Sequence, residues 1–284
     1  MHNSIEIEIV NVSDVGMKRP HNEDSTVSDI QHGLVILADG MGGYKAGEVA
    51  SAIAVTTILH DIVADLKSSH PDKDKNKPAP KKSSGHETTL LKNAINHANS
   101  NIYKMAKQDE QCQGMGTTVV TALFHDDLVS IGHVGDSRAY RLRANNLQQL
   151  TKDHSLIQEL IDRKLYTPEE AYAKMPKNLV TRGLGLDITV EVDVYEEQVL
   201  PGDIYLVCSD GLNDMVNDEE IHLTLSKYSA NLVQAAGSLV QLANNKGGKD
   251  NISVVLIRVK NKVSGPSQYG KFHKLLNRIH QARG

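Results

Sequence analysis

The chain has 284 residues, of which 39% are hydrophobic and 23% are charged, and its formal net charge at pH 7 is −4. This composition is ordinary for a soluble globular protein, and the length allows one large domain or two small ones with a sizeable buried core. The weak negative charge, the absence of Trp and the presence of only two Phe residues argue against a nucleic-acid-binding surface.

The cysteines and the apolar stretches indicate the compartment. Cys112 and Cys208 match no zinc or redox spacing, and the lack of a disulfide framework favours a reducing environment. The N-terminus lacks the basic and apolar segments of a signal peptide, and no apolar stretch approaches the roughly 18 residues of a membrane span. We therefore predict a cytoplasmic protein with no membrane span.

The first third of the chain predicts two strands and two long helices. Apolar residues alternate over residues 5–9, as in a half-buried strand, and are continuous over residues 34–38, as in a strand buried on both faces. Helical periodicity follows over residues 46–66 and again over residues 91–105. The polar segment between the helices, about residues 70–86, is interpreted as a flexible surface loop, with a basic binding tail as the alternative.

The remainder of the chain is dominated by predicted strands. Apolar and β-branched runs separated by turn signals favour antiparallel pairing, including a hairpin at Asp126-Asp127. The predicted strands lie at residues 117–124, 128–134, 139–142, 147–150, 190–194, 204–208 and 252–259, and short helices lie at residues 155–164, 168–174 and 231–244 and after residue 218. Because these elements form no regular βαβ units, we predict antiparallel sheets with helices on their outer faces.

Two segments stand apart from this framework. Residues 153–185 are polar and contain two short helical stretches, so we interpret them as an insertion that could form a flap. We predict a single domain over residues 1–262, followed by a basic and helical tail over residues 263–284. The tail could bind a partner or a membrane surface, although packing on the surface or fraying is the simpler interpretation.

Four aspartates lie at the ends of apolar runs, namely Asp39, Asp136, Asp210 and Asp250. Carboxylates at the ends of buried strands can converge on one point although they are far apart in sequence. Clustered carboxylates repel one another unless a cation neutralises them, and hard oxygen ligands suit Mg²⁺ or Mn²⁺. The pattern therefore predicts a metal-centred active site.

The residues around these aspartates favour hydrolysis of a phosphate ester. Asp39 has two carboxylate oxygens with which it could bridge two cations, and Gly40 lets the backbone turn its carbonyl towards one of them. Two cations about 3.5–4 Å apart with a shared water make a strong nucleophile near neutral pH. Arg19 offers the planar cation that binds phosphate, and Glu23 and Asp24 could hold water on the metals.

Taken in order, these motifs resemble the bacterial form of the metal-dependent Ser/Thr protein phosphatases of type 2C, the PPM family. The matching stretches span residues 19–251, which is most of the chain. They are residues 19–25 (RPHNEDS), 38–43 (ADGMGG), 114–118 (GMGTT), 132–138 (GHVGDSR), 150–155 (LTKDHS), 181–185 (TRGLG), 208–212 (CSDGL) and 248–251 (GKDN).

The resemblance implies an α+β fold with a central sandwich of two antiparallel β-sheets flanked by helix pairs, in which residues 1–262 form the catalytic domain. It implies metal-dependent hydrolysis of phosphoserine and phosphothreonine in proteins, by attack of a water that bridges two Mn²⁺ or Mg²⁺ ions. The implied partners are phosphorylated proteins and a bacterial Ser/Thr kinase whose action the enzyme reverses. The protein is expected to be a monomer.

By the family pattern, Asp39 would bridge the two cations and Gly40 would offer its carbonyl to one of them. Asp210 and Asp250 would complete the other cation site. Asp136, together with Asp210, would hold a third and weaker cation.

The charged residues of the first motif also have roles by this pattern. Arg19 would bind the substrate phosphate, while Glu23 and Asp24 would act on the metals mainly through water. A catalytically silent, metal-binding regulatory relative or scaffold is the alternative hypothesis. A phosphatase devoted to one regulatory protein is a third. None of the main metal acids is missing from the sequence, which favours the enzyme.

One departure from the family pattern concerns the leaving group. Met41 stands where animal and plant members have a His that is proposed as general acid, and Tyr44 stands where some bacterial members have a His. A water on the metals is then the favoured proton donor. His133 and His154 are alternatives, for which a structural role is the simpler interpretation.

Overall fold

Two antiparallel β-sheets form the centre of the protein in the computed structural model, which describes residues 5–43, 46–68, 85–176 and 179–260. The first sheet runs, in spatial order, β1 (Ile7–Asp14), β11 (Ile252–Val259), β10 (Ile204–Cys208), β7 (Arg138–Arg143) and β8 (Asn146–Gln149). The second sheet runs β2 (Asp24–Asp29), β3 (Leu34–Met41), β5 (Val119–His125), β6 (Leu128–Val134) and β9 (Asp193–Gln198), and the short β4 (Gly116–Thr117) pairs with β3.

Helices cover the outer faces of both sheets. The second sheet packs against α1 (Ala46–Ser68) and α2 (His86–Gln108), and the first packs against α6 (Asp218–Lys227) and α7 (Leu232–Asn245). The shorter helices are α3 (Leu156–Asp162), α4 (Pro168–Lys174) and α5 (Asp210–Asn213). The predicted α+β sandwich with flanking helix pairs is therefore confirmed.

The core consists of three apolar layers, and β3 contributes to two of them. Leu34, Ile36 and Ala38 belong to the layer shared with α1 and α2. Val35 and Leu37 alternate with them and belong to the layer between the sheets. Because both faces of β3 are covered, the run over residues 34–38 contains no polar side chain.

The first strand extends beyond the half-buried strand predicted at residues 5–9. It continues to Asp14, and both of its faces contact apolar layers. Ile7 and Ile9 belong to the layer between the sheets, whereas Val10 and Val12 pack against the layer under α6 and α7. As an edge strand it is nevertheless only partly buried.

Two strands of the second sheet depart from the prediction. The strand predicted at residues 190–194 is β9, which begins at Asp193. Val190 and Val192 pack on the core, but pairing with β6 begins only at Asp193. The sequence pattern predicts no strand at β2, because this edge strand is mostly polar and half-buried along its whole length.

The predicted insertion at residues 153–185 contains α3 and α4. α4 begins as predicted, with Pro168 in its first turn and Thr167 as N-cap in a reciprocal capping box with Glu170. Its role as a flap stays a prediction. The tail at residues 263–284 and most of the loop at residues 70–86 lie outside the described residues, and α2 begins five residues earlier than predicted, at His86.

The prediction of no membrane span meets one exception, since α1 is long and apolar enough to cross a membrane by length and composition alone. In the structure Ala50, Ala54, Ile58 and Ile62 form a buried face of α1 within the layer shared with the second sheet and α2. Such a face is expected of a helix in a protein core. The absence of a membrane span stays a prediction.

The end of β3 and the start of α1 approach each other too closely for side chains. A Cβ on Gly47 would lie 2.8 Å from the Gly40 carbonyl carbon and 2.9 Å from Glu23 Cδ. A Cβ on Gly40 would overlap the Gly47 carbonyl oxygen. This contact places Gly40 and Glu23 beside the first turn of α1.

We expect Gly47→Ala to lower the free energy of unfolding by about 1–3 kcal/mol, because the added methyl group overpacks a backbone contact. Helix propensity alone predicts the opposite sign, a gain of up to about 1 kcal/mol. Urea unfolding in EDTA measures the difference. Gly43→Ala is the matched control, because a Cβ there meets no described atom within 4 Å. A Gly47→Ala protein as stable as wild type would contradict the close approach.

Candidate metal centre

One end of the sandwich collects the predicted acidic residues. Asp39 lies near the end of β3, Asp136 follows β6 by two residues, and Asp210 begins α5 just after β10. Asp250 precedes β11 by two residues. Because three strands end here and an antiparallel strand begins here, the fold brings together four acids that are far apart in sequence.

Burial and mutual repulsion raise the carboxyl pKa values in this cluster. Burial is the largest cause for Asp39 and Asp210. Among the neighbouring charges, Asp24 raises the pKa of Asp39 most and Asp136 raises the pKa of Asp210 most. Both pKa values therefore lie well above the ordinary range. Burial also raises the pKa of Asp136 to about 7 and that of Asp24 to about 6. The acids therefore lie close enough to favour bound protons or cations.

Asp24 shows most directly that the cluster fits a cation. It lies opposite Asp39 in the pairing of β2 with β3, and its Oδ2 accepts a hydrogen bond from Ser209 Oγ at 2.8 Å. Its Oδ1 is buried and has no hydrogen-bond partner among the residues that the structure describes. An unpaired anionic oxygen is costly to bury, and carboxylate oxygens are the ligands that Mg²⁺ and Mn²⁺ prefer.

Glu23 is fixed at the rim of the cluster through its backbone. Its N–H donates to Asn251 Oδ1 at 2.8 Å, and its carbonyl accepts from Gly40 N–H at 3.2 Å and from Ser51 Oγ at 2.6 Å. Burial raises the pKa of Glu23, and the nearby charge of Arg19 opposes that shift. Glu23 and Gly40 therefore lie side by side.

Arg19 also lies at the rim, where it is half exposed and pairs with Asp250. Arg19 Nη2 donates to Asp250 Oδ2 at 2.6 Å, and this bond is the main reason that the arginine pKa is raised. Asn251 Nδ2 holds the arginine loop by donating to the carbonyls of Val15 and His21, each at 2.9 Å. The sequence predicts neither the ion pair nor the role of Asn251, although Asn251 belongs to the GKDN motif.

Two further acids, which the sequence analysis does not predict as site residues, also belong to the site. Asp214 lies one helical turn after Asp210, donates its N–H to the Asp210 carbonyl at 2.8 Å, and adds to burial in raising the pKa of Asp210. After burial, the charge of Asp153 is the largest cause of the raised pKa of Asp136. The Asp153 carboxylate accepts hydrogen bonds of 2.6 and 2.9 Å from Arg138. The i, i+4 spacing and the LTKDHS motif are the sequence signals for them.

Among the described residues at the candidate proton-donor positions, none is a protonated acid near pH 7. Met41 packs against the C-terminal part of the predicted insertion, where a Cβ on Gly183 would lie 2.5 Å from Met41 Cε. Tyr44 lies outside the described residues. Burial lowers the pKa of His133 and lowers that of His154 to about 4, so both rings are neutral near pH 7.

The tightest group of possible ligand atoms in the described part of the chain is not formed by the aspartates. One ligand atom each of His133, His154 and Asp193 lie within 4.8 Å of one another. This group adjoins the Asp136 turn, because the Gly135 N–H donates to His154 Nδ1 at 3.0 Å. No three of the described aspartates offer ligand atoms that lie this close together.

The sequence and the fold both have known relatives. The chain matches the family described as Protein phosphatase 2C over residues 18–245. It is 38% identical over 248 residues to the Serine/threonine phosphatase stp of Listeria welshimeri, a match that covers 86% of this chain and 93% of that protein. It is 36% identical over 256 residues to the Serine/threonine protein phosphatase PstP of Mycobacterium tuberculosis, which covers 90% of this chain. The chain spans about half the length of PstP, 46%.

Solved structures give the same result. The catalytic domain of PstP in complex with two manganese ions is similar with a TM-score of 0.75 and 35% identity, covering 90% of this chain and 99% of that one. Stp1 from Staphylococcus aureus is similar with a TM-score of 0.77 and 32% identity, covering 92% and 98%. The order of the motifs, the two-sheet sandwich and these matches agree. The chain belongs to the protein phosphatase 2C family.

Proposed function

We propose that this protein is a phosphoserine and phosphothreonine phosphatase that depends on Mn²⁺ or Mg²⁺. The observation that carries the proposal is the convergence of Asp39, Asp210 and Asp250 at one end of the sandwich, with Arg19 at its rim. The two manganese ions in the structure of the PstP catalytic domain support it.

The proposed ligands follow the positions of the acids. Asp39 would be shared by two cations, the Gly40 carbonyl would be a ligand of one of them, and Asp210 and Asp250 would complete the other site. Asp136, together with Asp210, would hold a third cation more weakly. When bound, the cations neutralise the phosphate oxygens and lower the pKa of the attacking water.

Arg19 is proposed to bind the substrate phosphate. Its ion pair with Asp250 is partly exposed to solvent, and such pairs stabilise a protein by only about 0–1 kcal/mol. A phosphate group offers the guanidinium two charge-assisted hydrogen bonds in the same plane. Arg19 can therefore exchange Asp250 for the substrate, which leaves the Asp250 carboxylate available to a cation.

Water handling is assigned to Glu23 and Asp24, beside the cations. The buried Oδ1 of Asp24, which lacks a hydrogen-bond partner among the described residues, can accept a hydrogen bond from a water. Met41 has no acidic proton, and the lowered pKa values leave His133 and His154 neutral. A water molecule then supplies the proton to the leaving serine or threonine oxygen.

The proposed substrates are phosphorylated proteins, and a Ser/Thr kinase is the expected opposing enzyme. A cytoplasmic location and a monomeric state are expected as well. A catalytically silent relative is the alternative, and nothing in the described site favours it, because the predicted acids are all present and lie at the same end of the sandwich.

We expect removal of metal to abolish hydrolysis of para-nitrophenyl phosphate and of a phosphothreonine peptide, and Asp39→Asn to lower kcat by at least about 100-fold, the order seen when a group that stabilises transition-state charge is removed. Steady-state rates with Mn²⁺ and with EDTA measure both effects. Asp126→Asn is the matched control, because Asp126 lies in the exposed turn between β5 and β6 and Asn tolerates its positive φ. Activity that persists in EDTA would contradict the proposal.

We expect Arg19→Ala to lower kcat/KM for a phosphothreonine peptide by about 10–100-fold, the equivalent of losing hydrogen bonds to a charged group. Arg19→Lys should recover part of this loss, because lysine keeps the charge but not the planar pair of donors. Lys92→Ala, which removes a positive charge from an exposed position on α2, serves as the control. An Arg19→Ala enzyme with unchanged kcat/KM would remove Arg19 from the site.

We expect the stability of the metal-free protein to report the pKa of Asp136. Its pKa is about 7 in the folded chain against an ordinary value of 3.8, so the folded state binds more protons between these values. The stability contributed by this group is present below pH 4 and is lost as pH rises through about 7. Relative to wild type, Asp136→Asn should therefore gain about 3 kcal/mol between pH 4 and pH 7.

Urea unfolding in EDTA at several pH values measures this difference, again with Asp126→Asn as control. Saturating Mn²⁺ should reduce the advantage of Asp136→Asn, because cations neutralise the carboxylate in the wild type. If the difference in stability between variant and wild type does not change with pH, burial and the neighbouring charges do not raise the pKa of Asp136.

A further inference from the structure

Both backbone polar groups of Gly135, the residue before Asp136, are hydrogen-bonded to His154. Gly135 N–H donates to His154 Nδ1 at 3.0 Å, and His154 N–H donates to the Gly135 carbonyl at 2.9 Å. Gly135 has a φ of +109°, and a Cβ there would lie 2.6 Å from Thr118 Cβ. The turn is therefore fixed between Thr118 on one side and His154 on the other.

The His154 ring is itself held firmly. It is buried and stacks on the His133 ring, with the ring centroids 4.6 Å apart and the planes 22° from parallel. His133 Nε2 lies 2.9 Å from the Lys152 carbonyl, to which it donates. His154 Nε2 has no hydrogen-bond partner among the described residues and lies 3.4 Å from Asp193 Oδ2.

This hydrogen-bond pattern decides against a metal ion at the group of His133, His154 and Asp193. Because His154 Nδ1 accepts a backbone N–H, it carries a lone pair, and the proton of the neutral ring is on Nε2. A protonated Nε2 has no lone pair for a cation, so His154 cannot bind a metal while it holds Gly135. The group is better suited to supporting a neighbouring site.

We infer that His154 is a positioning residue for Asp136, and that its hold on Gly135 sets the affinity for the weakly bound third cation. The inference rests on the proposed function for the identity of that cation site. The backbone of His154 also reaches the C-terminal part of the predicted insertion, since its carbonyl accepts from Thr181 N–H at 2.8 Å. The Asp136 turn and the return segment of the predicted flap thus share one support.

The test compares His154→Leu with His154→Asn in the full-length protein. The two side chains have nearly the same shape, but only Asn places an acceptor atom close to the position of Nδ1. In EDTA, hydrogen exchange at the Gly135 amide should be faster in His154→Leu and close to wild type in His154→Asn. Thermal unfolding in EDTA checks that both variants fold, and His154→Gln, whose acceptor lies one carbon farther out, replaces His154→Leu if the latter does not.

Titration with Mn²⁺, followed by calorimetry and by electron paramagnetic resonance, gives the second readout, which is independent of activity. We expect His154→Leu to raise the Mn²⁺ concentration that half-fills the weakest site by about tenfold, the order of effect when a buried N–H loses its partner. His154→Asn should stay within about threefold of wild type, since it keeps that partner.

Two results would overturn the inference: Mn²⁺ affinities that are the same in His154→Leu and His154→Asn, or Gly135 exchange that is unaffected by His154→Leu. The outcome is separable from that of the proposed function. If the Mn²⁺ affinity depends on the acceptor at residue 154 but the wild type cleaves no phosphopeptide, only the phosphatase proposal is refuted. If the wild type is active but the His154 variants have the same Mn²⁺ affinity, only the role of His154 is refuted.

Discussion

Aspartate carboxylates crowded at one end of a β-sandwich repel one another, and this repulsion determines what the site can bind. Two unit charges 4 Å apart interact by about 1 kcal/mol in water but by about 4 kcal/mol at an effective dielectric constant of 20. Burial and repulsion together raise the pKa of Asp39, Asp210, Asp136 and Asp24. The cluster therefore holds either protons or cations, and a divalent cation offsets several carboxylates at once.

The surrounding framework positions these acids with neutral donors. The Asp39 carbonyl accepts from Thr118 N–H at 2.9 Å and from Thr117 Oγ1 at 2.8 Å, and Ser209 Oγ donates to Asp24. Such bonds fix the geometry of the acids without cancelling their charge. A site that is rigid and still strongly negative is suited to bind hard cations, and through them a phosphate group.

Part of this arrangement can be predicted from the sequence. The continuous apolar runs of β3, β10 and β11 predict the strands, because strands covered on both faces leave that pattern. The acids that flank these runs in the sequence are therefore predicted to lie at the strand ends. The polar edge strand β2 leaves no such pattern, and at β9 burial begins before pairing does. The Arg19–Asp250 pair and the hold of His154 on Gly135 join segments far apart in the chain, and residue spacing within one sequence does not encode such contacts.

Anomalous X-ray scattering at the manganese edge, from crystals grown with Mn²⁺, locates the bound cations directly. We expect two strong peaks between Asp39, Asp210 and Asp250, with a weaker third peak beside Asp136. We expect no peak at His133, His154 and Asp193. Strong peaks at that histidine group, or the lack of any peak among the aspartates, would contradict the account.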